Sequence, residues 1–177
     1  DGADLPITEN VSRTRQVVEA AHARGAAAEA ELGQVGHASH EQRPADLTDP
    51  EEASRFVTET GVDALAVAIG TVHGMTDTGA VLDVGRIANL ARLVDAALVM
   101  HGSSGVDDDT LARAVGAGIR KVNLSTALQK VFMETLRQSA IAPGHETDAR
   151  AVLGDARDAV MEAARHRIRL VGAAGRA

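Results

Sequence analysis

Apolar residues fall into two rhythms along this chain of 177 residues. Unbroken runs of small and branched aliphatics, such as Ala64-Leu65-Ala66-Val67-Ala68-Ile69 and Ala97-Leu98-Val99-Met100, read as strands buried on both faces. Between them apolar residues recur every three or four positions, the period of an amphipathic helix. Val11, Thr14, Val18 and Ala21 predict a first helix, closed at Arg24-Gly25, and residues 26–32 a strand. Asp49-Pro50-Glu51-Glu52 is a strong helix start, with Ala53, Phe56, Val57 and Thr60 as the inner stripe and Gly61 as the stop. After the strand at 64–69, a helix starts near Asp83 with Ile87, Leu90, Ala91 and Val94 on one face. The run from Ala97 into His101-Gly102 follows. A short helix then opens at Asp107-Asp108-Asp109, residues 119–123 form a last strand, and two helices begin near Ser125 and Asp148.

Four strands alternating with helices imply a parallel α/β sheet with right-handed crossovers. A full (β/α)8 barrel needs eight strands and typically about 250 residues, so the pattern fits a small open sheet or about half a barrel. The length and the 45% hydrophobic content suit one domain spanning 1–177.

Composition narrows the chemistry. With no cysteine, any metal must be held by His, Asp or Glu. The net charge of −7 and a complement of only two aromatic residues, Phe56 and Phe132, argue against a nucleic-acid surface. No apolar stretch approaches the roughly 20 residues that span a bilayer. The opening Asp1-Gly2-Ala3-Asp4 lacks a signal-peptide pattern, so a cytoplasmic protein is expected.

Two apolar runs end in His-Gly, at His73-Gly74 and His101-Gly102. These histidines are expected at strand C-termini, the end of an α/β barrel where chemistry is done, and two such positions one βα unit apart can converge on one ion. Either histidine alone would more often be an ordinary buried residue. Glu29 and Glu31, two apart on a strand, point to one side, where they either face a cation or are solvated; Glu31 is the candidate third ligand. Gly102-Ser103-Ser104-Gly105 and Asn123-Leu124-Ser125-Thr126 place small residues and hydroxyls between a strand end and a helix start, a setting that suits a phosphate. The polar loop from Gly33 onward carries His37, His40 and Glu41, with Glu41 a candidate lid acid or base. His22, His145 and His166 attract no role, and Arg165, Arg167, Arg169 and Arg176 read as a solvated basic tail.

Taken in order, Glu29-Ala30-Glu31-Leu32-Gly33, the segment Asp63 to Gly74, His101-Gly102-Ser103-Ser104-Gly105-Val106 and Lys121-Val122-Asn123-Leu124-Ser125-Thr126 resemble the strand-end motifs of the class II, metal-dependent ketose-bisphosphate aldolases. The resemblance implies the last four βα units of a TIM barrel acting on fructose or tagatose 1,6-bisphosphate. The implied reaction, a step of glycolytic carbohydrate metabolism, is reversible cleavage to dihydroxyacetone phosphate and glyceraldehyde 3-phosphate. It implies His73 and His101 as ligands of Zn²⁺ or another divalent metal, and Gly74, Gly102, Ser103, Ser104, Asn123, Ser125 and Thr126 around the substrate and its phosphate. A monovalent cation beside that phosphate and a homo-oligomeric parent enzyme are also implied. The family's third strand carries an aspartate acid–base followed by a zinc histidine, and nothing here matches it; the isolated chain is therefore expected to be nearly inactive. A non-catalytic sugar-phosphate or metal-binding module is the alternative.

Overall fold

The computed structural model describes residues 2–37, 47–75, 77–145 and 147–176. They form two compact units, Asp1–Asn123 and Leu124–Ala177. The first contains α1 (Ile7–His22), β1 (Glu29–Leu32), β2 (Gly36–His37), α2 (Pro50–Thr60), β3 (Ala64–Val67), β4 (Val72–His73), α3 (Val84–Leu93), β5 (Ala97–Met100), a 3-10 turn at Ser103–Gly105, α4 (Asp108–Ala117) and β6 (Ile119–Val122).

β1, β3, β5 and β6 form one parallel sheet in that order. Their order in space is their order in the chain, so right-handed crossovers put every connecting helix on the same face. That is the arrangement of a barrel wall, in contrast to a doubly wound sheet, whose strand order reverses. The fold is a partial (β/α)8 barrel.

Register sorts the side chains. Ala30, Leu65, Leu98 and Ile119 lie in one row across the sheet, and Leu32 pairs with Val67; with Met100 all are buried, against a helix layer that contributes Phe56, Ile87, Leu90 and Leu111. Glu29, Glu31, Ala64, Ala66, Ala97 and Val99 occupy the opposite, concave face.

The helix starts follow the sequence signals. Asp49, Asp83 and Asp107 accept hydrogen bonds from the backbone N–H of Glu52, Arg86 and Thr110. Ala53, Phe56, Val57 and Thr60 are all buried on α2. On α3, Ile87 and Leu90 are buried, and Ala91, more open to solvent, lies against Gly118 at the end of α4.

Two strands are shorter than expected, because side chains capture their backbone groups. The Ala28 N–H donates to the Asp63 carboxylate at 2.7 Å, so β1 begins only at Glu29. Beyond Val67, the Ala68 N–H donates to the Thr48 hydroxyl at 2.8 Å, and that hydroxyl donates to the Leu32 carbonyl at 2.5 Å. The Thr48 N–H donates to the Ala68 carbonyl at 3.0 Å. A buried threonine thus sits between the ends of β1 and β3 where ladder bonds would otherwise continue.

The second unit consists of α5 (Thr126–Ala140) and α6 (Ala149–Leu170), packed on one another, with Asp148 capping α6. Ser139 near the end of α5 donates to Asp155 of α6 at 2.5 Å and lies 2.9 Å from His145 Nδ1, a polar clamp across the connection. The expected basic tail is helical through Leu170, with Arg165 paired to Glu162. Among the described residues no helix is long and apolar enough to cross a membrane.

Candidate functional site

β1 delivers two carboxylates to the concave face. Ala64, Ala66 and Ala97 stand beside them in register, and these small side chains leave the carboxylates room. His101 immediately follows β5, and its ring lies between the two acids: Nδ1 is 3.2 Å from Glu31 Oε2 and Nε2 is 3.3 Å from Glu29 Oε1.

His73 reaches the same place by a different route from the one its sequence suggests. It does not cap β3. The chain leaves β3, turns at Gly70 and pairs Val72–His73 with Gly36–His37 in a separate two-stranded ladder. Gly70 has φ +102°, and a Cβ there would collide with the Val81 carbonyl oxygen, so the turn requires glycine. The His73 and His101 rings meet edge to face with centroids 5.5 Å apart.

One ligand atom from each of Glu31, His73 and His101 lies within 4.8 Å of the other two. Two His and one carboxylate form a donor set used by catalytic zinc, with metal–ligand distances of roughly 2.0–2.2 Å that put the atoms on one ion no more than ~4.4 Å apart. Small side-chain rotations bring the three within that span, so the residues fit a divalent ion. Glu31 is 8% exposed, and burial raises its carboxyl above the ordinary value, a shift that His101 and the Val35 amide offset only in part. A cation at the cluster would supply the positive charge this buried acid lacks. Glu29 differs: burial acts to raise it as well, but hydrogen bonds from Lys121 and His101 bring it below the usual glutamate value. From behind, the buried Asn10 steadies β1 by donating to the Glu31 carbonyl at 3.2 Å.

The expected phosphate residues are distributed as follows. Gly102 has φ +66°, and a Cβ there would lie 2.8 Å from the Val72 carbonyl oxygen, so the turn after His101 sits directly on β4. Ser103 is buried and donates to the Asn123 carbonyl, Asn123 donates to the Met100 carbonyl at 3.1 Å, and Ser104 is half-buried beside them. Gly74 is an exposed turn residue after β4. Ser125 and Thr126 belong to the second unit, where the Ser125 carbonyl accepts the first amides of α5. His37 lies in β2, part of what reads in the sequence as plain loop, while His40 and Glu41 fall outside the described residues. A cleft of about 370 Å³ lies elsewhere, between the starts of α1 and α2, and none of the three cluster residues lines it.

Lys121 is the site residue that sequence reasoning passes over. Its Nζ is 2.6 Å from Glu29 Oε2. Leu98 pairs with Ile119 but Val99 pairs with Lys121, so Arg120 is an extra residue, a β-bulge. The bulge turns Lys121 onto the concave face, opposite to Ile119. The signal is present as two adjacent charges in a strand, Arg120-Lys121, that break simple alternation.

Comparison with known proteins follows the same lines. The sequence model of the family described as Fructose-bisphosphate aldolase class-II matches residues 1–176. The YdjI aldolase from Escherichia coli K12 is 33% identical, with a TM-score of 0.82 over 100% of this chain and 61% of its own. A Coccidioides immitis protein described as a fructose-1,6-bisphosphate aldolase is 27% identical, with a TM-score of 0.78 over 98% of this chain and 62% of its own. The fructose-bisphosphate aldolase of Campylobacter jejuni shares the fold, at 20% identity and a TM-score of 0.78 over 96% of this chain and 58% of its own. The chain therefore spans about three-fifths of the length of these solved structures.

Proposed function

Since the chain belongs to the class II fructose-bisphosphate aldolase family, we propose that Glu31, His73 and His101 hold a divalent ion, zinc by their donor chemistry, in a site for reversible aldol cleavage. The proposed substrate is a ketose 1,6-bisphosphate, fructose or tagatose, and the products are dihydroxyacetone phosphate and glyceraldehyde 3-phosphate. The convergence of the three side chains at the C-terminal end of a parallel barrel sheet carries this reading.

When bound, the ion would supply Lewis-acid polarisation of the ketone carbonyl. The chain's own groups do the rest. The turn Gly102-Ser103-Ser104, pinned to β4 and, through the Ser103 hydroxyl, to Asn123, is proposed to offer backbone N–H groups and the Ser104 hydroxyl beside His101 to a phosphate. Gly74, Asn123, Ser125 and Thr126 are proposed to hold the remaining substrate oxygens. Glu41, outside the described residues, is proposed as the group that moves a proton.

Zinc affinity, measured by competition with a chelator, tests the metal site. We expect tight one-to-one binding that His73→Ala or His101→Ala removes; no binding, or binding indifferent to both substitutions, would overturn the reading. Turnover by the chain alone should lie at or below detection, because no residue of this sequence matches the family's acid–base aspartate and adjacent zinc histidine. Zinc-dependent release of triose phosphate from either bisphosphate would reverse that expectation.

A further inference from the structure

His101 is a histidine with an acid on each ring nitrogen. Among the described residues, the acid that clusters with both His73 and His101 is Glu31. If these three residues share an ion, as proposed above, the nitrogen facing Glu31 is the coordinating one: Nδ1, 3.2 Å from the carboxylate. Nε2 then faces Glu29 at 3.3 Å and must carry the proton. A ligand histidine is normally oriented by an acceptor on its second nitrogen, and the acceptor sets both ring plane and tautomer.

Glu29 is itself constrained. Its second oxygen is held by Lys121, across the width of the sheet from β1 to β6. A bond between two edge strands is possible because both side chains rise from the same concave face, and Lys121 is there only through the bulge at Arg120. The Lys121 side chain is 52% exposed and that of Glu29 28%, and an ion pair this open to water adds little to stability. A backbone irregularity that places a lysine on one carboxylate oxygen, while the other oxygen faces a metal-ligand histidine, has its use in orientation.

We propose that Glu29 and Lys121 form a positioning pair for the metal site: Lys121 holds Glu29 as the acceptor for His101 Nε2–H, leaving Nδ1 unprotonated and aimed at the ion shared with Glu31 and His73. The inference rests on the metal reading but concerns two residues outside the ligand set. Neither belongs to the proposed ligand set, so both are positioning residues and not catalytic ones.

The test uses the full chain and no turnover. Zinc dissociation constants from chelator competition, and the visible spectrum of the cobalt-loaded protein, are compared for wild type, Lys121→Met, Lys121→Arg, Glu29→Leu and His73→Ala, beside the thermal midpoint of each metal-free protein. Lys121→Met and Glu29→Leu should weaken zinc about 10–100-fold and alter the cobalt bands, with metal-free midpoints unchanged. Lys121→Arg should restore most of the affinity. An unchanged or tighter constant in Lys121→Met, while His73→Ala abolishes binding, would refute the positioning role and leave the metal site standing. Loss of affinity matched by a falling metal-free midpoint would make the pair merely structural and also refute it. If wild type binds no zinc, the metal reading fails and this one with it.

Discussion

The two faces of the four-stranded sheet are built from the same strands and do opposite work. On the helix-facing side, Leu65, Val67, Leu98, Met100 and Ile119 are at most 1% exposed and carry no polar atom in their side chains. On the concave side, one residue away at every step, stand Glu29, Glu31 and Lys121 among alanines and Val99. Strand alternation thus separates stability from chemistry at single-residue resolution. A substitution on the first face should be felt in unfolding and not in ligand affinity; on the second, the reverse.

The largest effect should come from Leu98→Ala. Truncating this buried leucine removes packing between sheet and helices and is expected to cost about 2–5 kcal/mol in denaturant titration. The zinc affinity of the fraction still folded should not move. If affinity fell with stability, the two faces would be mechanically coupled and the separation incomplete.

Gly102→Ala lies where the faces meet, at the top of β5. The added methyl meets the Val72 carbonyl in a left-handed backbone, so a loss of about 1–3 kcal/mol is expected. Here zinc affinity should drop as well, since His101 is the preceding residue. Asp49→Ala is the counterpart away from both faces: it deletes the cap of α2 and should cost about 0.5–2 kcal/mol with metal binding intact.

The smallest and most distinctive effect is at the N-terminal end of the sheet. Asp63 accepts the Ala28 N–H and faces His22 Nε2 at 2.9 Å, interactions that hold its carboxyl below the usual aspartate value. A depressed folded-state value means that the unfolded chain takes up the proton first, so this stabilisation is complete above about pH 4. It is lost as pH falls through the lower folded-state value. Asp63→Asn should therefore flatten the acid side of the stability profile and leave zinc affinity at neutral pH unchanged, as unfolding curves at a series of pH values would show.

Much of this arrangement is legible in the sequence because the signals are local. Asp49, Asp83, Asp107 and Asp148 mark helix starts through bonds to residues two or three positions on, and the runs through Leu65 and Leu98 need only their own composition to read as buried strands. The period-two placement of Glu29 and Glu31 is equally local, and both acids do reach His101. What the sequence hides is non-local. Thr48 ends β1 and β3 from 16 and 20 residues away, and His73 belongs to a ladder whose partner, His37, lies inside an apparent loop. Lys121 finds Glu29 across 92 positions, through a bulge that no periodicity predicts.

That bulge gives the last strand a property resembling a reading frame. Arg120 is exposed and has no partner in the register, so many side chains should serve in its place. Its place outside the ladder is another matter. Drawn into the ladder opposite Val99, it would shift the phase of everything after it, sending Lys121 toward the helix layer and Val122 toward the acids. At this point of the chain the register of pairing, more than the identity of Arg120, carries the instruction for the site.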